Sequence, residues 1–417
     1  MPKSTNIEAK GEHIKTWMDA WVAGGNFPAM MVGVYDNSGT ELFYHSSKGL
    51  DTNGNRIEYT RDTIFKIFSM TKPITAVAVM MLMDQGIITI DDPVEKYIPA
   101  FKDSTVFVGG TADEPITEPL HTPITLRHLL THTSGISYGL FGNHPCDIIL
   151  QRSVPNKDCM HWFQNTPLDE LCLHIAATPL CFQPGTHFLY GLNSDILGRV
   201  VEIASNGQSF DAFCMQHIFQ PLQMKDTRFG CVSEEDMHRF ARCYEVDPVT
   251  KGAYRVCDRE DKIRDQTPKF ISGGGGVLST LSDYERFSRC LLNKGELDGV
   301  RILSEHAVSL MTINQLPNNA LLSDMLFGDM FSELKGGPFG YGFGVYALSH
   351  RDNGQGCGLS NPGEFGWGGV ASTFFYVDPV SQISVVLMTQ LIPSAANLCL
   401  RTQLRWLTHW MVQPTED

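Results

Sequence analysis

The sequence predicts an α+β protein: an α/β sandwich whose antiparallel sheet is flanked by terminal helices, with a mostly helical domain inserted. Three observations lead there. Strand-like runs lie at both ends of the chain, at 27–34 and 41–45 near the start and at 366–377 and 383–388 near the close. Helical and loop-like segments fill the middle. The 417 residues, 42% hydrophobic and 19% charged, suffice for one large core or two that share a cleft. The expected division is a sheet domain made of residues 1–100 with 266–417, and a helical domain with loop insertions over 101–265.

The elements follow in order. Residues 8–23 place Ile14, Trp17, Met18, Trp21 and Val22 at helical spacing. The run 27–34, FPAMMVGV, reads as a strand, Asp36-Asn37-Ser38-Gly39 as a turn, and 41–45 as the returning strand. Residues 64–86, IFKIFSMTKPITAVAVMMLMDQG, form a helix with almost no polar face, which belongs in the core. Gly86 is its stop, and Pro73 lies close enough to its start to be tolerated. Residues 103–122, rich in Thr, Gly, Pro and acids, read as a loop. Over 124–130 a helix is expected, with Thr125 as N-cap and Ser134-Gly135 as stop. Residues 137–166 read as an irregular insertion near a cleft mouth. Helices are expected over 168–177, from Asp195 to Ile203 and over 209–222, with Tyr190 on a loop before the second of these. The glycine run of SGGGGVLST at 272–280 lacks the lysine and spacing of a phosphate loop, and marks a close approach of backbones. A helix over 283–292 with Ser282 as cap, a strand over 341–346, a hairpin turn at Asp378-Pro379-Val380-Ser381 and an amphipathic closing helix over 396–411 complete the chain.

Charge excludes some functions. With 32 basic and 46 acidic residues the net charge is −14, which argues against attraction to nucleic acid or an anionic membrane. The N-terminus has no continuous apolar stretch of the secretory kind, and no run reaches the ~18 apolar residues of a membrane span. The expectation is a cytoplasmic protein. Eleven cysteines, none in a C-x-x-C pair, leave at least one unpaired; eight lie between Cys146 and Cys257. They read as scattered buried thiols of a reducing compartment, with one or two bridges in an exposed insertion as the alternative.

The chemistry concentrates at Ser69 and Lys72. On a helix, residues three apart share a face, so hydroxyl and amine become neighbours. A lysine at the head of an apolar helix is costly without a partner or a chemical role. A buried amine loses part of its preference for the charged form, which makes it a candidate base for the serine. His128 and His132 stand four apart, as in a metal-binding helix, but no acidic residue lies between them and no third ligand is indicated. No metal and no cofactor are expected.

Four stretches together resemble the serine β-lactamase and penicillin-binding-protein superfamily, in its class C β-lactamase-related branch, which also holds the family VIII carboxylesterases and related transesterases. They are Ser69-Met70-Thr71-Lys72, ITLRHLLTHTSGI at 124–136, PGTHFLYGLNSDILGRVVE at 184–202, and SGGGGVLSTLSDYERF at 272–287. Trp367-Gly368-Gly369 before a strand resembles the third active-site motif. The resemblance implies a β-lactamase/transpeptidase-like fold, with Ser69 as nucleophile, Lys72 as its partner and Tyr190 as the tyrosine of the second motif. The N–H groups of Ser69 and Val370 would form the oxyanion hole. Trp367, Gly368, Gly369, Asn193 and Asp195 would line the substrate site.

The departures bear on the substrate. Leu192 stands where β-lactamases carry the asparagine of Tyr-x-Asn, and Asn193 comes one residue late. Trp367 replaces the lysine that helps hold a substrate carboxylate, exchanging a cation for an apolar surface with one N–H donor. Both changes disfavour β-lactams and D-Ala-D-Ala peptides and favour a neutral ester with a modest acyl group. The expected activity is that of a carboxylesterase working through an acyl-enzyme. The alternatives are transfer of the acyl group to an alcohol or amine, then β-lactamase or D-Ala peptidase action, and last a non-catalytic scaffold.

Overall fold

The computed structural model describes residues 4–50, 56–139, 144–154, 166–247, 254–257, 269–327, 339–348, 360–394 and 399–413. Seven strands form one antiparallel sheet, in the spatial order Phe339–Tyr341, Tyr346–Leu348, Phe365–Gly368, Phe374–Asp378, Ile383–Met388, Met31–Asp36 and Glu41–Ser46. The two ends of the chain meet inside it, with Met31 opposite Met388 and Asp36 opposite Ile383. Two of its hairpins are turned by an aspartate that satisfies the backbone of the turn. Asp36 Oδ1 accepts from the N–H of Ser38 and Thr40. Asp378 Oδ1 does the same for Val380 and Ser381.

The pleat sends successive side chains to opposite faces, and the helices cover both. Phe375 meets Tyr284, on the helix Leu281–Leu292, with ring centroids 5.1 Å apart. Tyr376, its neighbour in the strand, stacks on His409 of the helix Cys399–Val412 at 5.6 Å. The first helix, Ser4–Ala23, packs beside this last one. Its Ile14 and Met18 enter the core, while Trp17 and Trp21 both donate to Gln403 Oε1, at 2.7 and 3.3 Å.

The helix Thr71–Asp84 lies at the centre, buried at every residue from Thr71 to Leu82. It packs against the helix Asn193–Ala204. Short strands form separate small sheets: Arg228–Phe229 pairs with Val277–Ser279, and Tyr244–Val246 pairs with both Tyr254–Val256 and Leu391–Ile392.

Several expectations need correction. Residues 105–119, expected as loop, form a hairpin of Thr105–Gly110 with Pro115–Pro119. Val108 is 53% exposed and Ile116 61%, so no buried face stamps a period-two pattern on this hairpin. Residues 342–345 are the turn between two strands, and the run 366–377 is two strands joined by a tight turn. The helix Leu281–Leu292 is capped by Thr280, whose Oγ1 accepts the Asp283 N–H at 3.2 Å; Ser282 sits inside the first turn. The segment 209–222 holds the helix Phe210–Cys214 and a π-helical turn, Met215–Phe219. The other helices stand near their expected positions, Thr125 capping Leu126–Leu130 included. Much of the 137–166 insertion lies outside the described residues. The nine described cysteines all carry free thiols. Among the described residues no helix is long and apolar enough to cross a membrane.

Candidate active site

Ser69 sits in a single 3₁₀ turn, Phe68–Met70, that leads straight into the central helix. Phe68, just before it, has φ +45°, a left-handed conformation that costs a non-glycine residue energy unless packing enforces it. Here the Phe68 side chain is buried with Cys243, Cys257, Ala371 and Ile392, and Val370 packs onto the same cluster. The tyrosine of the helix 281–292 braces the start of the central helix, Tyr284 OH donating to Met70 O at 2.8 Å. The Val277 N–H donates to Thr71 Oγ1 at 3.2 Å.

Lys72 is 1% exposed. Its Nζ lies 3.2 Å from Ser69 Oγ and donates to Gly274 O at 2.7 Å. The spacing of three residues does what helical geometry requires. Nζ also sits 4.4 Å from the centroid of the Tyr190 ring and 5.7 Å from that of Tyr138. Tyr138 and Tyr190 stack at 5.8 Å. Trp367 Nε1 donates to Tyr190 OH at 3.4 Å. Trp367 pairs with Phe375 across the sheet, so its indole lies on the same face as Phe375, where Tyr341 meets it edge-on at 5.2 Å. Ser69, Lys72, Tyr190 and Trp367 therefore converge, and of the four Ser69 is the least buried.

The glycine run supplies the carbonyl that Lys72 uses. A Cβ at Gly273 would collide with the Ser194 carbonyl, and one at Gly274 would lie 2.7 Å from Asp195 Oδ2. That is the close approach expected at 272–280. Gly369 likewise allows two segments to touch. Its N–H donates to Thr373 O at 2.9 Å, and a Cβ there would reach within 2.6 Å of Ile67 O. Gly368 leaves space for Arg401, which donates to the carbonyls of Gly369 at 3.0 Å and Thr373 at 3.3 Å. Gly369 thus brings the end of the Trp367 strand against the segment just before Ser69.

Asn193 and Asp195, expected to line the substrate site, are both buried and hydrogen-bonded within the protein. Asn193 is fully buried. Ser134 Oγ donates to its Oδ1 at 2.5 Å, and its Nδ2 lies 2.8 Å from His132 Nδ1. The Gly191 N–H also points at His132 Nδ1, at 3.3 Å. A backbone N–H can only donate, so Nδ1 accepts and the imidazole carries its proton on Nε2. Burial and the Lys72 charge hold His132 well below the usual imidazole range, consistent with a neutral ring. That ring lies against Tyr190 at 4.7 Å. Asp195, 1% exposed, accepts from Ser272 Oγ at 2.6 Å and from the Gly274 N–H at 3.0 Å. Burial pushes its carboxyl up, against the lowering pull of the Ser272 hydroxyl and the Lys72 charge.

His128 and His132 separate in role. His128 Nδ1 accepts from the Thr125 N–H at 3.2 Å and completes that helix cap. Sequence reasoning missed Tyr138, Tyr341, Arg401 and the His132–Asn193–Ser134 chain. Only the last left a signal, in the polar run Thr131-His132-Thr133-Ser134 directly after an apolar helix.

Known proteins resemble this chain over most of its length. Acyltransferase calJ of Penicillium decumbens is 28% identical, over 80% of this chain and 77% of its own. Lovastatin esterase of Penicillium rubens is 30% identical, over 68% of this chain and 69% of its own. Among solved structures, unliganded simvastatin synthase (LovD) of Aspergillus terreus superposes with a TM-score of 0.77 at 23% identity, covering 97% of this chain and 98% of that one. The fold is thus the β-lactamase/transpeptidase-like one. The profile of the Beta-lactamase family matches residues 14–409, nearly the whole chain, and the protein belongs to that family.

Proposed function

We propose that this family member is a serine hydrolase that cleaves small neutral esters through an acyl-enzyme on Ser69. The observation that carries the reading is Lys72: a buried amine 3.2 Å from a half-buried serine hydroxyl and beneath a tyrosine ring. Its Nζ reaches Gly274 O and Ser69 Oγ at once, so the amine sits where it can exchange a proton with that oxygen. Ser69 Oγ bonds to the ester carbonyl carbon while its proton passes to the Lys72–Tyr190 pair. The bond to the alkoxy oxygen then breaks, and the proton goes to that leaving oxygen. Water repeats the sequence and frees the acid. The Ser69 and Val370 N–H groups are assigned to the oxyanion, one at a helix start and one on the strand end that Gly369 brings close.

The substrate reading rests on the aromatic wall. Where a cation would meet a carboxylate, Trp367 offers an indole face whose N–H turns to Tyr190. The buried Asn193 amide is committed to Ser134 and His132 and cannot grip an acylamido group. An acyl group that is small and neutral fits such a wall. Lovastatin esterase, by its name, is an esterase, which supports the same chemistry. A cytoplasmic location is part of this reading, supported by the free thiols.

Ser69→Ala tests the assignment. With p-nitrophenyl butyrate the wild type should give a burst of one p-nitrophenol per chain, and the variant none; a retained burst removes Ser69 as nucleophile. Nitrocefin should be a poor substrate beside the ester, and efficient cleavage would overturn the substrate reading. Transfer to an alcohol is the second reading, favoured by the calJ acyltransferase relative. It predicts that an added alcohol yields a new ester faster than free acid accumulates.

A further inference from the structure

Two cysteines distant in sequence meet beside a histidine at the start of the helix Pro145–Ser153. His144 is the N-cap of the helix Pro145–Ser153, its Nδ1 accepting the Cys146 N–H at 3.3 Å. Cys181 Sγ lies 3.5 Å from the same Nδ1. One potential ligand atom from each of His144, Cys146 and Cys181 falls within 4.8 Å of the other two, the one such group of three among the described residues. Both thiols are buried, and His144 is half-buried. The surround is apolar. Cys146 and Cys181 cluster with Phe182 and Leu189, Phe107 and Phe327 pack onto them, and the rings of Phe107 and Phe327 lie 5.2 and 5.5 Å from the imidazole.

We propose that His144, Cys146 and Cys181 bind one thiophilic d¹⁰ cation of the zinc type, with the fourth position open to water or another small ligand. Tetrahedral zinc with sulfur and nitrogen ligands holds its donor atoms about 3.5–3.8 Å apart. The three groups here need only a modest contraction to reach that. Two thiolates and an imidazole make a soft set without carboxylate, which favours zinc or copper(I) over magnesium or calcium. Two thiolates also cancel a 2+ charge, as an apolar surround demands. On binding, the two S–H protons leave to solvent, the imidazole stays neutral, and no electrons move. Coordination through Nδ1 would exchange the long cap bond from Cys146 N–H for a metal bond.

The site would pin the start of the helix Pro145–Ser153 to the segment at Cys181. That segment is already tied to the active-site loops. The Cys181 N–H donates to Gly135 O at 2.8 Å, and the Leu189 N–H to His132 O at 2.9 Å. The helix is tied to them as well, since Gly139, next to Tyr138, donates its N–H to Asp147 Oδ1 at 3.1 Å. A bound cation would therefore stiffen the wall that holds Tyr138 and Tyr190. The expectation that no metal binds came from histidines at helical spacing; these ligands share no such spacing.

The test uses the full chain, reduced with a phosphine, incubated with zinc and desalted. Bound zinc is counted by plasma mass spectrometry. One zinc per chain is expected for the wild type and for Cys172→Ser, whose thiol lies elsewhere. Cys146→Ser and Cys181→Ser should lose it. Because either serine variant could fold poorly, the wild type is also labelled with iodoacetamide in urea at a concentration where the buried Cys146 and Cys181 react in the absence of zinc, and mapped. Zinc should protect Cys146 and Cys181, and spare the labelling of exposed Cys399. No retained zinc, or labelling of the pair unchanged by zinc, overturns the proposal. So does a mass two hydrogens lower with a Cys146–Cys181 linked peptide that a phosphine reverses, since the pair would then be closing as a disulfide.

Discussion

Lys72 stands between two walls made of opposite materials. On one side is backbone and carboxylate: Gly274 O takes a hydrogen from Nζ, and Asp195 lies behind, holding Ser272 and the Gly274 N–H. On the other are rings: Tyr190 and Tyr138 over the amine, then His132, Trp367 and Tyr341. The polar wall is assembled at distances that exclude side chains, since a Cβ at Gly273 or Gly274 would overlap Ser194 or Asp195. Its geometry leaves little to vary, and it fixes where the amine sits. The aromatic wall is built from ring contacts of 4.7 to 5.8 Å, which tolerate exchange of one ring for another. The polar wall thus fixes the amine, while the aromatic wall brings the Tyr190 ring to it and presents the Trp367 indole beside that ring.

The comparison breaks first at Lys72 itself. Lys72→Met keeps the length of the side chain and removes the amine proposed to share the serine proton with Tyr190. We expect kcat/KM for p-nitrophenyl butyrate to fall about 10³-fold or more, within the range for loss of a proton-transfer group. A fall below tenfold would mean that the two walls meet at a merely structural lysine. Next comes Tyr190→Phe, which keeps every ring contact and deletes only the hydroxyl. A fall of about 10²-fold in kcat is expected, with KM little changed. If KM rises instead and kcat holds, Tyr190 belongs to substrate binding alone.

Legibility in the sequence divides along the same line. Ser69 and Lys72 were readable because helical spacing alone makes them neighbours. The close approach at 272–280 was readable because four glycines in a row have few other uses. The sheet was readable from the runs 27–34 and 383–388, the first of which is a strand only from Met31 on, because its apolar strands are buried on both faces. The surface hairpin at 105–119 was not, since little of it is buried. The aromatic wall was mostly hidden. Tyr138, Tyr341 and Trp367 come from three separate segments of the chain, and only tertiary folding brings them together. The hydrogen bonds of Asn193 were hidden for a related reason: it stands one residue past Leu192, the motif position, and sequence does not show which way the first turn of a helix faces.

The smallest expected effect sharpens the comparison most, because it leaves shape intact. Asp195→Asn keeps an oxygen for Ser272 and the Gly274 N–H but withdraws the negative charge behind Lys72. We expect about a tenfold fall in kcat, ~1.4 kcal/mol of transition-state stabilisation. Stability should move separately. Burial raises the Asp195 carboxyl above its ordinary value, so the folded state binds this proton more readily than the unfolded chain. The contribution to stability is therefore full below the ordinary carboxylate range and is lost as pH rises through the folded value. Asparagine has no such proton, so the Tm of the wild type relative to the variant should be highest at acidic pH and decline towards neutrality. A difference that grows with pH would mean that the charged carboxylate is the stabilised form, and that the polar wall holds Lys72 by charge more than by backbone geometry.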